Sequence, residues 1–210
     1  MEGMVFNHKA AFSYRGDQPM LAEVVPGEGY GYRDGLVQIL NAHGHHGRPM
    51  TGCEIGVDKG DTTKRLLDAF PNLRLYGIDP WRRGQQMKRR HRREWAQRDY
   101  EVALKNLQPY GGRVTLIRED SHTGSPQVPN DLDFIFIDGD HSYNGVRIDS
   151  KTSSVKLKDS GLLIGHDYGD KAFWEVTMWV NWLIQCAKWP IKTIEGTGLW
   201  YIQKTDIPQW

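Results

Sequence analysis

Apolar residues along the chain gather in short continuous runs, separated by segments of helical period. The runs are "TGCEIGV" (51–57), "LRLYGID" (73–79), "RVTLIRED" (113–120), "LDFIFIDGD" (132–140) and "GLLIGHD" (161–167). Runs this short, bounded by turn residues, read as strands buried on both faces. Between them, "TTKRLLDAF" (62–70), residues 88–107 and "NGVRIDSKTSSVKL" (144–157) carry helical patterns. Such alternation predicts a parallel sheet covered by helices on both faces. "DGLVQILNAHG" (34–44) adds a short amphipathic helix, with Asp34 as its cap and Gly44 as its stop. "AFWEVTMWVNWLIQCAKW" (172–189) is apolar apart from Glu175 and a stripe of Thr177, Asn181 and Gln185 at every fourth position, which fits a core helix or a subunit contact. "IKTIEG" and "TGLWYIQK" flank a Gly-Thr-Gly turn, which predicts a hairpin and an antiparallel last strand. Residues 1–32, rich in Gly, Pro and Tyr, read as an irregular arm. The predicted fold is α/β and doubly wound, a mostly parallel seven-stranded sheet with an antiparallel last strand. An arm and helix (1–47) precede one ligand-binding domain (48–210).

Composition narrows the class. With 210 residues, 39% hydrophobic and 25% charged, the chain suits one soluble globular domain. A net charge of +1 does not mark the whole molecule as a polyanion binder. Cys53 and Cys186 both lie in apolar stretches and read as buried thiols, which points to a reducing, cytoplasmic setting. The N-terminus lacks the apolar core of a signal peptide, and no run approaches the length of a membrane span.

Each predicted strand of the alternation ends in acid: Glu54, Asp79, Glu119 with Asp120, Asp138 with Asp140, and Asp167. Open α/β sheets bind ligands beyond the carboxyl ends of their strands. A single acid there is usually a cap or loop residue; five in succession describe a crevice lined with acceptors. The first strand runs into Gly56 and Gly60, a turn that lets a ligand approach the backbone. A triphosphate loop would need Gly-Lys-Ser/Thr, yet Gly60 is followed by Asp61. A dinucleotide fingerprint needs G-x-G-x-x-G, yet this loop reads E-x-G-x-x-x-G. Acids suit a ligand with an amine, a ribose and a positive centre better than a pyrophosphate.

The E-x-G-x-x-x-G loop, "YGIDPW", "DFIFIDGDHSYNGV", "SGLLIGHDY" and "GTGLWYIQK" resemble, in order and spacing, the class I S-adenosylmethionine-dependent methyltransferases. The likeness covers residues 48–204 and is nearest to the small bacterial and phage-type branch with an "IDGDHSY" strand end, related to the macrocin-type O-methyltransferases. It implies a Rossmann-like fold and S-adenosylmethionine as cofactor. Glu54, Gly56 and Gly60 would surround the methionyl part and Asp79 would accept the ribose hydroxyls. Trp81 would pack near the adenosine, Asp120 and Ser121 would lie near the adenine edge, and Asp138 would stand by the sulfonium.

Methyl transfer to a hydroxyl needs alignment and removal of a proton, by a base or with a metal's help. "DGDHSY" supplies Asp138, Asp140 and His141 as candidate catalytic groups, with His141 as the base. The resemblance further brings in a divalent metal (Mg²⁺, Mn²⁺ or Fe²⁺) held by Asp138, His166 and Asp167, with His166 where the relatives carry an acid. The "HGHH" histidines match no metal spacing. Residues 82–98 carry eight Lys/Arg and one acid, so this segment is +7 and the remainder −6. A solvated charged insertion is the ordinary reading of such a run; an anionic substrate or nucleic acid is the sharper one. The expected activity is therefore O-methylation of a small or sugar-like acceptor. The alternatives are a nucleic-acid methyltransferase using the basic segment, or a non-catalytic cofactor-binding interaction domain. A homodimer built through the arm or the 172–189 helix is the expected assembly.

Overall fold

The computed structural model describes residues 20–28, 31–82 and 89–208, with the side chains of 89–93 excepted. In chain order the elements are β1 (Glu23–Val25), α1 (Tyr32–Ala42), β2 (Met50–Ile55), α2 (Asp61–Ala69), β3 (Leu73–Ile78), α3 (Arg89–Leu107), β4 (Val114–Ile117), α4 (Ser121–Gly124), β5 (Leu132–Ile137), α5 (Tyr143–Ser154), β6 (Leu157–Gly165), α6 (Trp174–Gln185), β7 (Lys192–Ile194) and β8 (Trp200–Gln203). They form one eight-stranded sheet in the order β1-β7-β8-β6-β5-β2-β3-β4. Only β8 runs against the others, pairing antiparallel with both β6 and β7.

The central strands are apolar because both their faces are covered. Every residue of β5, "LDFIFI", is buried. Alternate side chains enter opposite layers: Phe134 and Phe136 join the helices α1, α2 and α3 on one face, Ile135 and Ile137 join α5 and α6 on the other. Leu36, Ile39 and Leu40 of α1 belong to the first layer. Trp179, Val180 and Leu183 of α6 belong to the second, so this helix is a core helix of its own fold.

Three expectations need correction. The arm contributes a strand, because β1 pairs in parallel with β7 and makes the sheet one strand wider than the sequence pattern suggested. The first helix begins two residues before Asp34, after an N-cap at Gly31, so Asp34 stands inside the first turn and pairs with Arg65 at 2.9 Å. Cys186 is exposed because it caps the C-terminus of α6, past the last buried turn, whereas Cys53 is buried as expected. The polar stripe of α6 is used internally. Thr177 Oγ1 accepts from the Gly169 amide at 2.8 Å, and Asn181 Oδ1 accepts from the Tyr168 hydroxyl at 2.9 Å. That hydroxyl in turn accepts from the amides of Leu21 and Ala22 beside β1. The stripe therefore fastens the loop that follows β6, while Gln185 at its end is exposed.

The chain winds outward through β2, β3 and β4, then returns to start β5 on the other side of β2. The switch point thus lies between β2 and β5, where an open sheet leaves a crevice at its carboxyl end. His45 lies at the opposite end, fully buried beside Asp133 and Arg48. Burial pushes its pKa down to about 4, so this member of the "HGHH" loop is a neutral structural group. Among the described residues no helix is long and apolar enough to cross a membrane.

Candidate functional site

A cleft of about 970 Å³ opens beyond the carboxyl ends of β2, β3, β4 and β5. Gly56 makes its floor. It has φ +94°, and a Cβ there would overlap the main-chain carbonyl of Asp138. The loops after β2 and β5 can approach so closely only with glycine at this place. The sheet ladder continues through them, since the amide of Asp138 donates to Ile55 O at 2.8 Å and that of Gly56 to Ile78 O at 2.9 Å.

Asp79 follows β3 and accepts three main-chain amides: Val57 at 3.0 Å and Asp58 at 2.9 Å on Oδ2, and Trp81 at 2.6 Å on Oδ1. Burial raises its pKa, and these amides only partly offset that. Its first task is to fasten the glycine loop to β3, and Oδ1 keeps acceptor capacity towards the cleft. Trp81 lines the cleft but is itself buried; its indole donates to Asp58 O at 2.7 Å and its ring tilts against Tyr100. Glu54 stands behind the cleft wall, 1% exposed, where it accepts a hydrogen bond from the Thr63 hydroxyl. Burial raises its pKa to about 8. Gly60, in the left-handed region, is the N-cap of α2.

At the ends of β5 and β6 four predicted residues converge. His141 Nε2 lies 2.7 Å from Asp167 Oδ2 and 3.4 Å from Asp138 Oδ1. His166 Nδ1 lies 3.2 Å from Asp167 Oδ1 and 3.4 Å from Asp138 Oδ1, and its Nε2 meets Thr197 O at 3.1 Å. Burial disfavours charge at both histidines, yet the carboxylates outweigh it and raise both pKa values, that of His141 to about 9. Burial likewise opposes ionisation of Asp138, and the two imidazoles overcome it and hold its pKa low. The rings are gripped by aromatic neighbours, His166 under Tyr32 at 4.0 Å and His141 on Phe173 at 4.2 Å between centroids.

The structure rearranges the expected roles. Asp140 is not part of this cluster; its carboxylate accepts from the Ser142 amide and shapes the turn into α5. The three ligand atoms that lie within 4.8 Å of one another belong to Asp138, His141 and Asp167. His141 stands in the set where the sequence placed His166, whose Nδ1 faces the same two carboxylates at 3.2 and 3.4 Å. Asp120 is the N-cap of α4, accepting from the amide of Thr123, and Ser121 donates to Asp149. Tyr32, Asp149 and Phe173 were missed. An acid on the buried face of a predicted helix was the available signal for Asp149; nothing in the sequence marked the other two. Arg82 lines the cleft, while Arg83 to Arg93 of the basic segment lie outside the described side chains.

Residues 53–168, just over half of the chain, match a family model described as a methyltransferase domain. Among solved structures, the SAH-bound methyltransferase of Podospora anserina superposes with a TM-score of 0.61 at 12% identity, over 81% of this chain and 76% of that one. An O-methyltransferase from Bacillus cereus in complex with SAH gives 0.54 at 14% identity, over 80% and 78%. The precorrin-6y C5,15-methyltransferase of Geobacter metallireducens gives 0.50 at 14%, over 75% and 74%. At these identities the likeness is one of fold. No curated protein sequence matches the chain.

Proposed function

We propose that this chain, which belongs to the methyltransferase-domain family, carries a methyl group from S-adenosylmethionine to a hydroxyl of a small acceptor. The observation that carries the acceptor reading is the group of two carboxylates and two imidazoles at the ends of β5 and β6. The cofactor reading draws on the charge of the cleft as well as on the family. Among the described residues eight aspartates line it against Arg33, Lys59 and Arg82, a surplus that favours a sulfonium and an ammonium over a dinucleotide or triphosphate.

In this reading Gly56 lets the methionyl part lie against the backbone. Asp79 turns its remaining Oδ1 capacity to a ribose hydroxyl while holding the loop. Glu54 and Gly60 support from behind: Gly60 starts α2, and Glu54 reaches the cofactor's amine through a bridging water. Trp81 and Ser121 border the adenosine. Asp138, at the switch point, stands by the reacting methyl. His141, in its neutral form above about pH 9, takes the acceptor's proton, and Asp138 and Asp167 fix its ring and stabilise the imidazolium that results. His166, tethered to Thr197, holds both carboxylates in place. The donor set of Asp138, His141 and Asp167 also fits a divalent cation, and its mixed oxygen and nitrogen atoms suit Mn²⁺ or Fe²⁺ better than Mg²⁺. Such an ion would lower the pKa of the acceptor hydroxyl.

Calorimetry with S-adenosylhomocysteine and with NAD tests the cofactor, and the expected result is binding of the first alone. Transfer of labelled methyl to a panel of small hydroxyl compounds tests the acceptor class. His141→Ala should lower turnover by about 10²–10⁴ and leave S-adenosylhomocysteine affinity unchanged. Full activity in that variant would refute the placement of the proton transfer. Turnover with and without chelator separates a metal-assisted reaction from one carried by the imidazole alone.

A further inference from the structure

We propose that Asp149, in the second turn of α5, reads the exocyclic amine of the cofactor's base; the inference rests on the S-adenosylmethionine reading above. Asp149 lies on the face of α5 that also buries Val146, Ser150 and Ser153. A carboxyl group on such a face is costly unless hydrogen-bonded. It is 2% exposed and nevertheless lines the cleft. Among the described residues the hydroxyl of Ser121 is the hydrogen-bond partner of its side chain. A carboxylate accepts at two oxygens, so one bond leaves capacity directed at the cleft. Burial accordingly holds its pKa up to about 6, as expected of an acceptor short of donors.

Two neighbours define what would fill that capacity. Ile148, its neighbour in the helix, also lines the cleft and is 40% exposed, an aliphatic surface turned to the same space. A flat heterocycle bearing an amine satisfies both, with one face on Ile148 and an N–H to Asp149. Asp120, the acid that the sequence places at the base, caps α4 with one of its oxygens. Its Oδ1 accepts from both the amide and the hydroxyl of Thr123 at 2.9 Å. Asp120 is half-buried and keeps its second oxygen, whereas Asp149 is 2% exposed, so the buried acid is the one that gains most from a new donor.

The test is a cycle of binding measurements. S-adenosylhomocysteine and its analogue with hydrogen in place of the 6-amino group are titrated into wild type, Asp149→Leu and Ser121→Ala. Wild type should lose about tenfold or more in affinity when the amine is removed, the usual worth of a hydrogen bond to a charged acceptor. Asp149→Leu should bind both ligands equally, at the affinity wild type has for the analogue. Ser121→Ala removes a group beside the adenosine and so lowers affinity for both ligands, while removal of the amine should still cost it more than it costs Asp149→Leu. The proposal is overturned if the amine's removal costs the same in wild type and Asp149→Leu, or costs wild type nothing. Failure of wild type to bind S-adenosylhomocysteine at all would overturn the cofactor reading instead, and the base assignment with it.

Discussion

Replacing Glu54 by glutamine should make the unliganded protein more stable, and increasingly so as pH rises. Glu54 is an acid with 1% exposure, and its side chain accepts a hydrogen bond from Thr63. Burial raises its pKa from 4.5 to about 8. A folded-state value above the unfolded one means that the folded protein holds this proton more tightly. Its stability contribution is then complete below pH 4.5 and is lost as pH rises to 8. The span is 3.5 pH units. At about 1.4 kcal/mol per unit, the carboxyl withdraws on the order of 5 kcal/mol over that window. Glutamine keeps the shape and the acceptor for Thr63 but cannot ionise. The stability difference between Glu54→Gln and wild type should therefore widen by about 1.4 kcal/mol per pH unit from pH 5 to pH 8 and then level off. Urea midpoints of both proteins across this range give the difference directly, since the other titrating groups are common to both and cancel. Parallel curves, with a gap that stays within about 1 kcal/mol, would refute the argument. They would mean that Glu54 ionises in the folded protein without penalty.

Two further outcomes are expected. Gly56→Ala should cost about 3 kcal/mol or more, since it adds a Cβ against the Asp138 carbonyl at a left-handed backbone position; a melting temperature within a degree of wild type would show that the β2 and β5 loops can part. Neutralising Arg89, Arg90, Arg92 and Arg93 together should leave S-adenosylhomocysteine affinity unchanged, because that contact set lies at the strand ends; a labelled oligonucleotide that wild type shifts at low salt and the variant does not would revive nucleic acid as the acceptor.

Periodicity determined the central parallel strands of the sheet. "LDFIFI" and "MTGCEI" have no polar alternation, so neither can lie at a solvent-facing position, and the helical patterns between such runs leave parallel winding as the economical solution. The acids at the strand ends followed from the same pattern, because the residue after a buried strand is the first to reach the crevice. The helix boundaries were read less well. Asp34 looked like a cap in the sequence, but Gly31 takes that place, since propensity marks a turn without fixing its first residue. The strand in the arm was illegible, because Glu23–Val25 is too short to show a pattern and exists through its pairing with β7. Side-chain allegiance was decided by tertiary structure alone. Asp140 and His141 are adjacent in the chain, yet one turns to the Ser142 amide and the other to Asp167, in the loop after the next strand. Asp149 sits a full strand-loop-helix away from Ser121 in sequence and against it in space. A sequence shows which residues can bear the chemistry, whereas the direction of each carboxylate depends on donors contributed by distant elements, which come together only when the sheet has formed.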